Sequence, residues 1–397
     1  MIGSVSPPMN TMTGEDGLAE LLARAVDNSA VPGAVGLIAQ GPKTEVAAVG
    51  STSPEGGRPM ARDTIFRIAS LTKPITAAAA MTLVEDGRIA LDDAVREWLP
   101  ELAAPSVVRT PHSPVDDVVP ARRPITLDDL LTFRSGYGYP ADFSLPAVAL
   151  FAERFQRFVL EPRLAPGPDE WMASLASIPM VNHPGEAWLY HASSDILGVL
   201  IARVAGRPLD VFLAERVFEP LGMADTGFWV PEEKRHRFGP SYGRGQDGAL
   251  ELHDVPDGQW SAPPAFPSGA GGLVSTVDDW AAFGRMLLDG GTAPDGRRLL
   301  SPASVALMTS DHTTAAQRDA VRLFLLGQGW GFGGAVDVNA DEPAHRPGRY
   351  WWTGGSGTTA QIDPSSDSVA VLFTQVEMGS PAPPPLMTAF WELAGRL

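Results

Sequence analysis

Strand-like segments occupy both ends of this chain, whereas the clearest periodic segments between them are helical. Near the N-terminus, two apolar runs at 34–39 and 45–49 follow the helical pattern of 17–26, which predicts a helix and then a hairpin. Near the C-terminus, 360–363 and 368–374 are strand-like and flank a turn. The simplest architecture is one antiparallel sheet in two halves, with a helical lobe inserted between them.

The middle of the chain predicts helices separated by long proline-bearing loops. Helical periodicity occurs at 71–85, 127–132, 149–159 and 193–204, and a closing helix is predicted over 387–397. The segment 107–124 is broken by Pro111, Pro114 and Pro120 and shows no periodicity, so a loop is expected there.

The predicted fold class is therefore α/β plus α, an antiparallel β-sheet flanked by helices with an inserted, mostly helical lobe. At 397 residues, two packed units are the default expectation. We assign residues 1–80 and 265–397 to a discontinuous sheet domain and residues 81–264 to a mainly helical domain with long loops. The active site is expected between them.

Composition excludes several classes of function. A formal charge of −17 argues against nucleic acid or an anionic membrane as a partner. The absence of cysteine excludes disulfides, thiolate metal sites and a cysteine nucleophile. No apolar run is long enough for a membrane span, and residues 1–16 lack the pattern of a signal peptide, so we expect a soluble cytoplasmic protein.

One of only three lysines, Lys73, stands three residues after Ser70. Residues at i and i+3 of a helix share a face, with Cβ atoms about 5–6 Å apart, so the amine can reach the hydroxyl. A desolvated lysine with a lowered pKa can act as the base that a serine nucleophile needs. Pro74 suits the first helical turn, so Ser70 would stand where unpaired N–H groups favour negative charge on an attacked carbonyl.

Two later segments could complete a serine hydrolase, which also needs a proton donor and N–H groups for the oxyanion. A turn delivers Tyr190 just before the predicted helix at 193–204, and its phenol could pass a proton. In the glycine-rich segment 351–357, the N–H of Gly355 could face a substrate, because glycine permits close backbone approach. The structural alternatives are an aromatic residue packed at a helix start and a plain glycine turn.

Two competing kinds of site are disfavoured. The segment 239–243 matches the Gly-x-Ser-x-Gly elbow of α/β-hydrolases around Ser241, but its flanks have the composition of loops instead of a strand and a helix. The histidines form no His-x-x-x-His pair, and the Glu-x-x-His matches at 233–236 and 342–345 are loop-like. We therefore expect no metal and no cofactor.

Taken together, the Ser-x-x-Lys pair, the tyrosine near 190 and the late Trp-Thr-Gly-Gly segment resemble the serine β-lactamase and penicillin-binding-protein superfamily. The resemblance is nearest to the class C-like carboxylesterases called family VIII esterases, and more loosely to the acyltransferase that attaches a side chain to a statin precursor. Supporting landmarks run over nearly the whole chain, at 66–73, 130–136, 220–223, 268–273, 329–333 and 362–364.

The resemblance implies a role for each residue of this set. Ser70 would be the nucleophile, Lys73 the base beside it, and Tyr190 the group that passes a proton to the leaving alkoxide. Backbone N–H groups of Ser70 and Gly355 would hold the oxyanion. Which of the lysine and the tyrosine takes the first proton stays open, because the two groups titrate together. The candidate substrate-binding residues are Trp352, Gly354, Tyr137 and His191.

Two departures from the resembled family bear on the substrate. Trp352 stands where penicillin-processing members carry a lysine for the substrate carboxylate, and Ala192 stands where they usually carry an asparagine. A neutral, aromatic-lined site favours apolar esters over anionic β-lactams. Arg349 could replace the lost charge and leave weak activity on lactams.

We therefore predict a serine carboxylesterase that hydrolyses short-chain or apolar esters through an acyl-enzyme, with a small-molecule ester as its partner. The open alternatives are an acyltransferase of the same fold, a weak β-lactamase or D-amino peptidase, and a penicillin-recognising binding protein without turnover. The last is disfavoured because a buried ionisable pair is costly to keep without a use. The oligomeric state and the natural ester do not follow from the sequence.

Overall fold

The computed structural model describes residues 17–341 and 344–396. The strands are β1 (Gly33–Gln40), β2 (Lys43–Gly50), β3 (Phe66–Arg67), β4 (Ser106–Val108), β5 (Val118–Pro120), β6 (Ser241–Arg244), β7 (Leu250–Asp254), β8 (Val274–Ser275), β9 (Gly329–Trp330), β10 (Ala335–Val336), β11 (Tyr350–Gly354), β12 (Thr358–Asp363) and β13 (Ser368–Thr374). The α-helices are α1 (Leu18–Asp27), α2 (Thr72–Glu85), α3 (Leu127–Leu131), α4 (Pro146–Phe155), α5 (Arg157–Leu160), α6 (Pro168–Ala176), α7 (Ala192–Ala205), α8 (Leu209–Leu213), α9 (Glu219–Leu221), α10 (Val277–Leu288), α11 (Pro302–Met308), α12 (Ala315–Ala320), α13 (Arg322–Leu325) and α14 (Pro385–Ala394).

The two ends of the chain meet in one seven-stranded sheet. Its strand order is β2-β1-β13-β12-β11-β10-β9, and the neighbouring pairs are antiparallel. Gly36 of β1 lies opposite Leu372 of β13 on one side and Ala47 of β2 on the other. Every residue of β12 and β13 is buried, as expected for central strands with both faces covered.

Helices cover both faces of the sheet. A Cβ at Gly36 would lie 2.9 Å from Leu18 of α1, so α1 packs on that face. A Cβ at Gly284 of α10 would lie 2.8 Å from Val369 of β13. Leu372 is paired with Gly36 and stands three residues from Val369, so the two contacts lie on opposite faces of the pleated sheet. The sheet is therefore the middle layer between α1 and α10.

The buried helix α2 connects the sheet to the helical segments and packs against α7. The loop at 268–272 passes between these two helices. A Cβ at Gly269 would lie 2.4 Å from the carbonyl oxygen of Ser194 in α7, and Thr76 of α2 donates a hydrogen bond of 2.8 Å to the carbonyl oxygen of Gly269. Glycine is therefore required at this position, and the loop is held from both sides.

The antiparallel sheet flanked by helices confirms the predicted fold class. The four strands expected from the sequence lie within β1, β2, β12 and β13. The helix expected over 149–159 is instead two helices, α4 and α5, which meet at Gln156. The expectation of a loop over 107–124 was wrong in part, because Val107 pairs with Val119 in a short β4–β5 ladder. The domain boundaries at residues 80 and 265 stay a prediction.

The expectation about a signal peptide concerns residues 1–16, which lie outside the described residues. Within the described ranges, no helix combines the length and the apolar character that crossing a membrane requires.

A buried ion pair lies at the β11 side of the sheet. Arg349 and Asp337 are 1% and 0% exposed, and their side-chain nitrogen and oxygen atoms are 2.8 Å apart. Arg349 also donates to the side chain of Gln361 at 2.9 Å, and Trp351 donates to Asp337 at 2.6 Å. The idea that Arg349 supplies a charge for a substrate carboxylate was therefore wrong, because its guanidinium is enclosed and already paired.

We expect Arg349→Met to lower the free energy of unfolding by about 3–5 kcal/mol, because it leaves the carboxylate of Asp337 buried without its cation. Arg285→Met is the matched control: its partner Asp367 is 61% exposed, and an exposed pair contributes about 0–1 kcal/mol. Urea unfolding followed by circular dichroism measures both variants. Equal, small losses in the two variants would contradict the expectation.

Candidate active site

Ser70 lies in a single 3-10 turn, Ala69–Leu71, that leads directly into α2. The turn begins with Ala69 at φ +42°, a left-handed backbone that residues other than glycine rarely adopt. Such strain is maintained only where the surroundings fix the backbone, and it is frequent at functional sites. Ser70 is 8% exposed, so its side chain is largely buried.

The end of β11 packs closely against this turn. A Cβ at Gly354 would lie 2.3 Å from the carbonyl oxygen of Ile68, and Thr358 donates to the same oxygen at 3.1 Å. Only glycine allows this approach. Gly355 is the next residue in the chain, and the role of its N–H as an oxyanion donor stays a prediction.

Lys73 lies in the first turn of α2 and is fully buried. Its Nζ is 2.9 Å from Ser70 Oγ and donates to the carbonyl oxygen of Ala270 at 2.6 Å. Burial lowers the pKa of Lys73 to about 7, and the negative charge of Asp195 opposes part of this shift. Above neutral pH the side chain is therefore mostly an uncharged amine, which is the form that can accept a proton.

Tyr190 also contacts Ser70, and Lys73 Nζ lies 4.8 Å from the centroid of its ring. Its hydroxyl donates to Ser70 Oγ at 2.8 Å and accepts a hydrogen bond of 3.1 Å from the indole nitrogen of Trp352. Its backbone is paired with Tyr139 in both directions, at 2.8 and 3.0 Å. Burial raises the pKa of Tyr190 to about 12, so the phenol stays protonated at neutral pH.

The structure brings three of the four predicted substrate-binding residues to this site. Gly354 supports the turn of Ser70, Trp352 contacts Tyr190, and His191 Nδ1 lies 3.5 Å from Lys73 Nζ. Tyr137 differs, because it is 2% exposed and its hydroxyl finds no hydrogen-bond partner among the described residues. Such burial favours packing over substrate contact, and its binding role stays a prediction.

Sequence reasoning missed the residues behind Lys73. Asp195 accepts hydrogen bonds from Ser268 Oγ at 2.6 Å and from the backbone N–H of Ala270 at 3.1 Å. It lies in the first turn of α7, four residues after His191, and its carboxylate is 3.5 Å from Nε2 of that histidine. The link from Ala270 to Lys73 joins distant parts of the chain and leaves no local pattern.

A family model described as Beta-lactamase matches residues 18–385. The chain belongs to the Beta-lactamase family. This Beta-lactamase family member is 39% identical to Protein Rv1367c of Mycobacterium tuberculosis, over 91% of this chain and 90% of that protein. It is 32% identical to Esterase EstB of Burkholderia gladioli, over 82% of this chain and 81% of that protein.

Among solved structures, the family member is similar to one titled "EstCE1, a hydrolase with promiscuous acyltransferase activity". The TM-score is 0.79 at 25% identity, and the match covers 94% of this chain and 97% of that chain. The agreement extends over both the sheet and the helical segments.

The Gly-x-Ser-x-Gly match around Ser241 does not form a nucleophile elbow in this Beta-lactamase family member. Ser241 is the first residue of β6, which pairs with β7, so no helix follows it as a nucleophile elbow requires. It is 4% exposed, and its hydroxyl donates to Glu377 at 3.3 Å. Across the described residues, no three His, Asp or Glu side chains are placed to hold a metal ion, and Glu342 lies outside them.

We expect a fluorophosphonate to label Ser70 in this Beta-lactamase family member, at a rate that rises with pH about a midpoint near 7. Lys73 loses its proton there, whereas Tyr190 stays protonated to about pH 12. Peptide mapping by mass spectrometry locates the label, and its rate is followed between about pH 5.5 and about pH 9. Ser241→Ala is the control and should label normally. A label on Ser241, or a rate independent of pH, would contradict this expectation.

Proposed function

We propose that this chain is a serine carboxylesterase that works through an acyl-enzyme on Ser70, with no cofactor. The observation that carries the proposal is the contact of one hydroxyl with two groups of opposite function. Lys73, with its pKa near 7, is 2.9 Å from Ser70 Oγ, and the protonated Tyr190 is 2.8 Å from it. The names of Esterase EstB and EstCE1 support hydrolysis of an ester. A cytoplasmic location stays a prediction from the sequence.

The acylation step uses these two neighbours in turn. The proton of Ser70 moves to the uncharged amine of Lys73 as Oγ bonds to the ester carbonyl carbon. When the tetrahedral intermediate collapses, the alkoxide leaves with the proton of Tyr190, and the proton held by Lys73 replaces it on the phenol. Water then attacks the acyl carbon by the same route, which releases the acid and restores Ser70.

The position of Ser70 at the start of α2 suits the charge that develops on the carbonyl oxygen. Backbone N–H groups at the beginning of a helix lack intrahelical partners, and the helix dipole favours negative charge there. The N–H groups of Ser70 and Gly355 are the proposed donors. Donors held rigidly in a site with little water stabilise such charge strongly, and losing one typically costs about 10²–10³ in rate.

The contacts of Trp352 favour a neutral substrate. The indole N–H is already donated to Tyr190 at 3.1 Å, and the side chain is 3% exposed. A tryptophan supplies no cation for a β-lactam carboxylate, and Arg349 is enclosed in its pair with Asp337. An anionic substrate would therefore lose hydration without gaining an ionic partner there. Turnover of lactams is expected to be weak beside that of esters.

The proposal predicts that the wild type releases p-nitrophenol from p-nitrophenyl butyrate and that Ser70→Ala abolishes this release. Lys73→Met and Tyr190→Phe should each lower kcat by about 10²–10⁴-fold, because each removes a proton-transfer group. Lys43→Met is the matched control, because Lys43 is an exposed lysine of β2. Unchanged turnover in Ser70→Ala, or turnover of nitrocefin that exceeds that of the ester, would refute the proposal.

An acyltransferase is the second candidate. It is favoured by an aromatic group beside Tyr190 that consists of the side chains of Phe324, Phe143 and Tyr139. Ring centroids of Tyr190 and Phe324 are 5.0 Å apart, and Phe143 lies 6.1 Å from Phe324 and 5.7 Å from Tyr139. Phe143 is 47% exposed, which is unusual for so large an apolar side chain. Tyr190 protonates the alkoxide as it leaves the acyl carbon. An incoming alcohol would therefore approach the acyl carbon from the same side, where it would meet these aromatic rings.

If these rings bind the acceptor, adding 2-phenylethanol to the ester assay should yield 2-phenylethyl butyrate, measured by gas chromatography. Phe143→Ala should lower the ratio of ester product to butyrate by roughly three- to tenfold, because an aromatic contact is lost. Trp229→Ala is the control, since Trp229 is an exposed aromatic residue outside this group. A ratio that Phe143→Ala leaves unchanged would assign the aromatic group to packing and favour simple hydrolysis.

A further inference from the structure

The amine of Lys73 has three close neighbours. Ser70 Oγ is 2.9 Å away, the carbonyl oxygen of Ala270 is 2.6 Å away, and Nδ1 of His191 is 3.5 Å away. An uncharged amine carries two hydrogens and one lone pair. If the two hydrogens point to the carbonyl oxygen and to the imidazole, the lone pair points to the hydroxyl of Ser70.

The carbonyl oxygen of Ala270 can only accept a hydrogen bond, so it takes one hydrogen of Lys73. Nδ1 of His191 accepts the second hydrogen only when the ring is uncharged and carries its proton on Nε2. Asp195 lies on that side, with Oδ2 at 3.5 Å from Nε2, which favours this tautomer. Burial, together with the nearby Lys73, lowers the pKa of His191, so the ring is neutral when the amine is neutral.

Asp195 is itself fixed in place. Its Oδ1 accepts from Ser268 Oγ at 2.6 Å and from the N–H of Ala270 at 3.1 Å. Ala270 thus binds the carboxylate through its N–H and Lys73 through its carbonyl oxygen. A closed ring of contacts results, from Lys73 through Ala270 and Asp195 to His191 and back to Lys73.

The backbone of His191 is strained, and its conformation helps to form this ring of contacts. Its φ is +82° and its ψ is −64°, far outside the regions that residues with side chains prefer. Strain of this kind persists only where the surroundings impose it. Tyr190 immediately precedes it, so the unusual backbone lets two consecutive side chains both reach the neighbourhood of Lys73 and Ser70.

We propose that His191, oriented by Asp195, is a positioning residue that turns the lone pair of Lys73 toward Ser70. Lys73 therefore takes the first proton, and Tyr190 acts as the donor to the leaving group. This inference rests on the proposed esterase function and assigns His191 a role other than substrate binding. In the proton transfer, the O–H bond of Ser70 breaks and an N–H bond forms on Lys73, while both existing N–H groups of the amine keep their acceptors.

The other ionisable groups around His191 do not change charge in the neutral range. Tyr139 and Tyr190 face the imidazole, with ring centroids at 6.4 and 6.0 Å. Burial raises the pKa of each phenol to about 12. The charge of the ring of contacts is therefore set by Lys73, His191 and Asp195.

The test compares His191→Leu, His191→Asn and the wild type in kcat, KM and the pH profile of kcat/KM on p-nitrophenyl butyrate. Leucine removes the acceptor, and we expect the plateau of kcat/KM to fall by about 10–100-fold, mostly in kcat. The acid midpoint should also move below that of the wild type, because a lost acceptor disfavours the charged form of Lys73. Asparagine offers an oxygen that can accept the second hydrogen of Lys73, so it should recover most of the rate.

Asp195→Asn provides the second arm and keeps the test decisive if His191→Leu does not fold. It should lower kcat in the same way, and the double variant should lose no more than either single variant, because both act through one ring of contacts. His112→Leu, an exposed histidine elsewhere, is the control. Thermal melting of each variant separates loss of fold from loss of rate.

The outcomes separate this inference from the proposed function. A wild type that neither hydrolyses the ester nor is labelled at Ser70 overturns the esterase itself. An active wild type whose kcat and acid midpoint are unchanged in His191→Leu and in Asp195→Asn overturns the positioning role alone. A rise in KM with unchanged kcat would also overturn it, and would return His191 to the substrate-binding role that the sequence suggested.

Discussion

Lys73 keeps its amino group fully buried, and the rest of the active site follows from that burial. An ammonium loses hydration there, so its pKa falls to about 7 and the amine becomes a base at neutral pH. Burial likewise raises the pKa of Tyr190 to about 12 and keeps it a donor. One physical cause therefore moves the two pKa values in opposite directions, which assigns a base and an acid to two neighbours of Ser70.

The parts of this site that are local in the chain could be predicted from the sequence. Ser70 and Lys73 are one helical turn apart, so their contact follows from helix geometry. The four predicted strands are apolar runs bounded by turns, and those in β1, β12 and β13 are buried in the sheet as that pattern indicates, whereas β2 is mostly exposed. The set formed with Tyr190 was found by resemblance, because no local rule places residue 190 beside residue 70.

Other features depend on contacts between distant segments or on patterns that were overlooked. Predicting that Asp337 and Gln361 enclose Arg349 requires knowing which strands are neighbours. The expectation that Arg349 binds a substrate carboxylate was wrong for this reason. The short β4–β5 ladder was not predicted, because prolines interrupt the sequence pattern by which a strand is recognised. Helix α10 could have been predicted from the sequence, because Val277, Trp280 and Phe283 recur at helical spacing and are buried.

The strand order of the sheet also has a consequence for how the protein is made. On the ribosome, the β1–β2 hairpin emerges long before β13, the strand that pairs with β1 and separates it from β12. Until β13 is synthesised, β1 presents an open edge, and unpaired edges invite association between chains. Folds dominated by pairings this far apart in sequence form slowly. The nascent chain must therefore protect this edge through most of its synthesis, and a chaperone that binds extended apolar segments would find its substrate at 33–40.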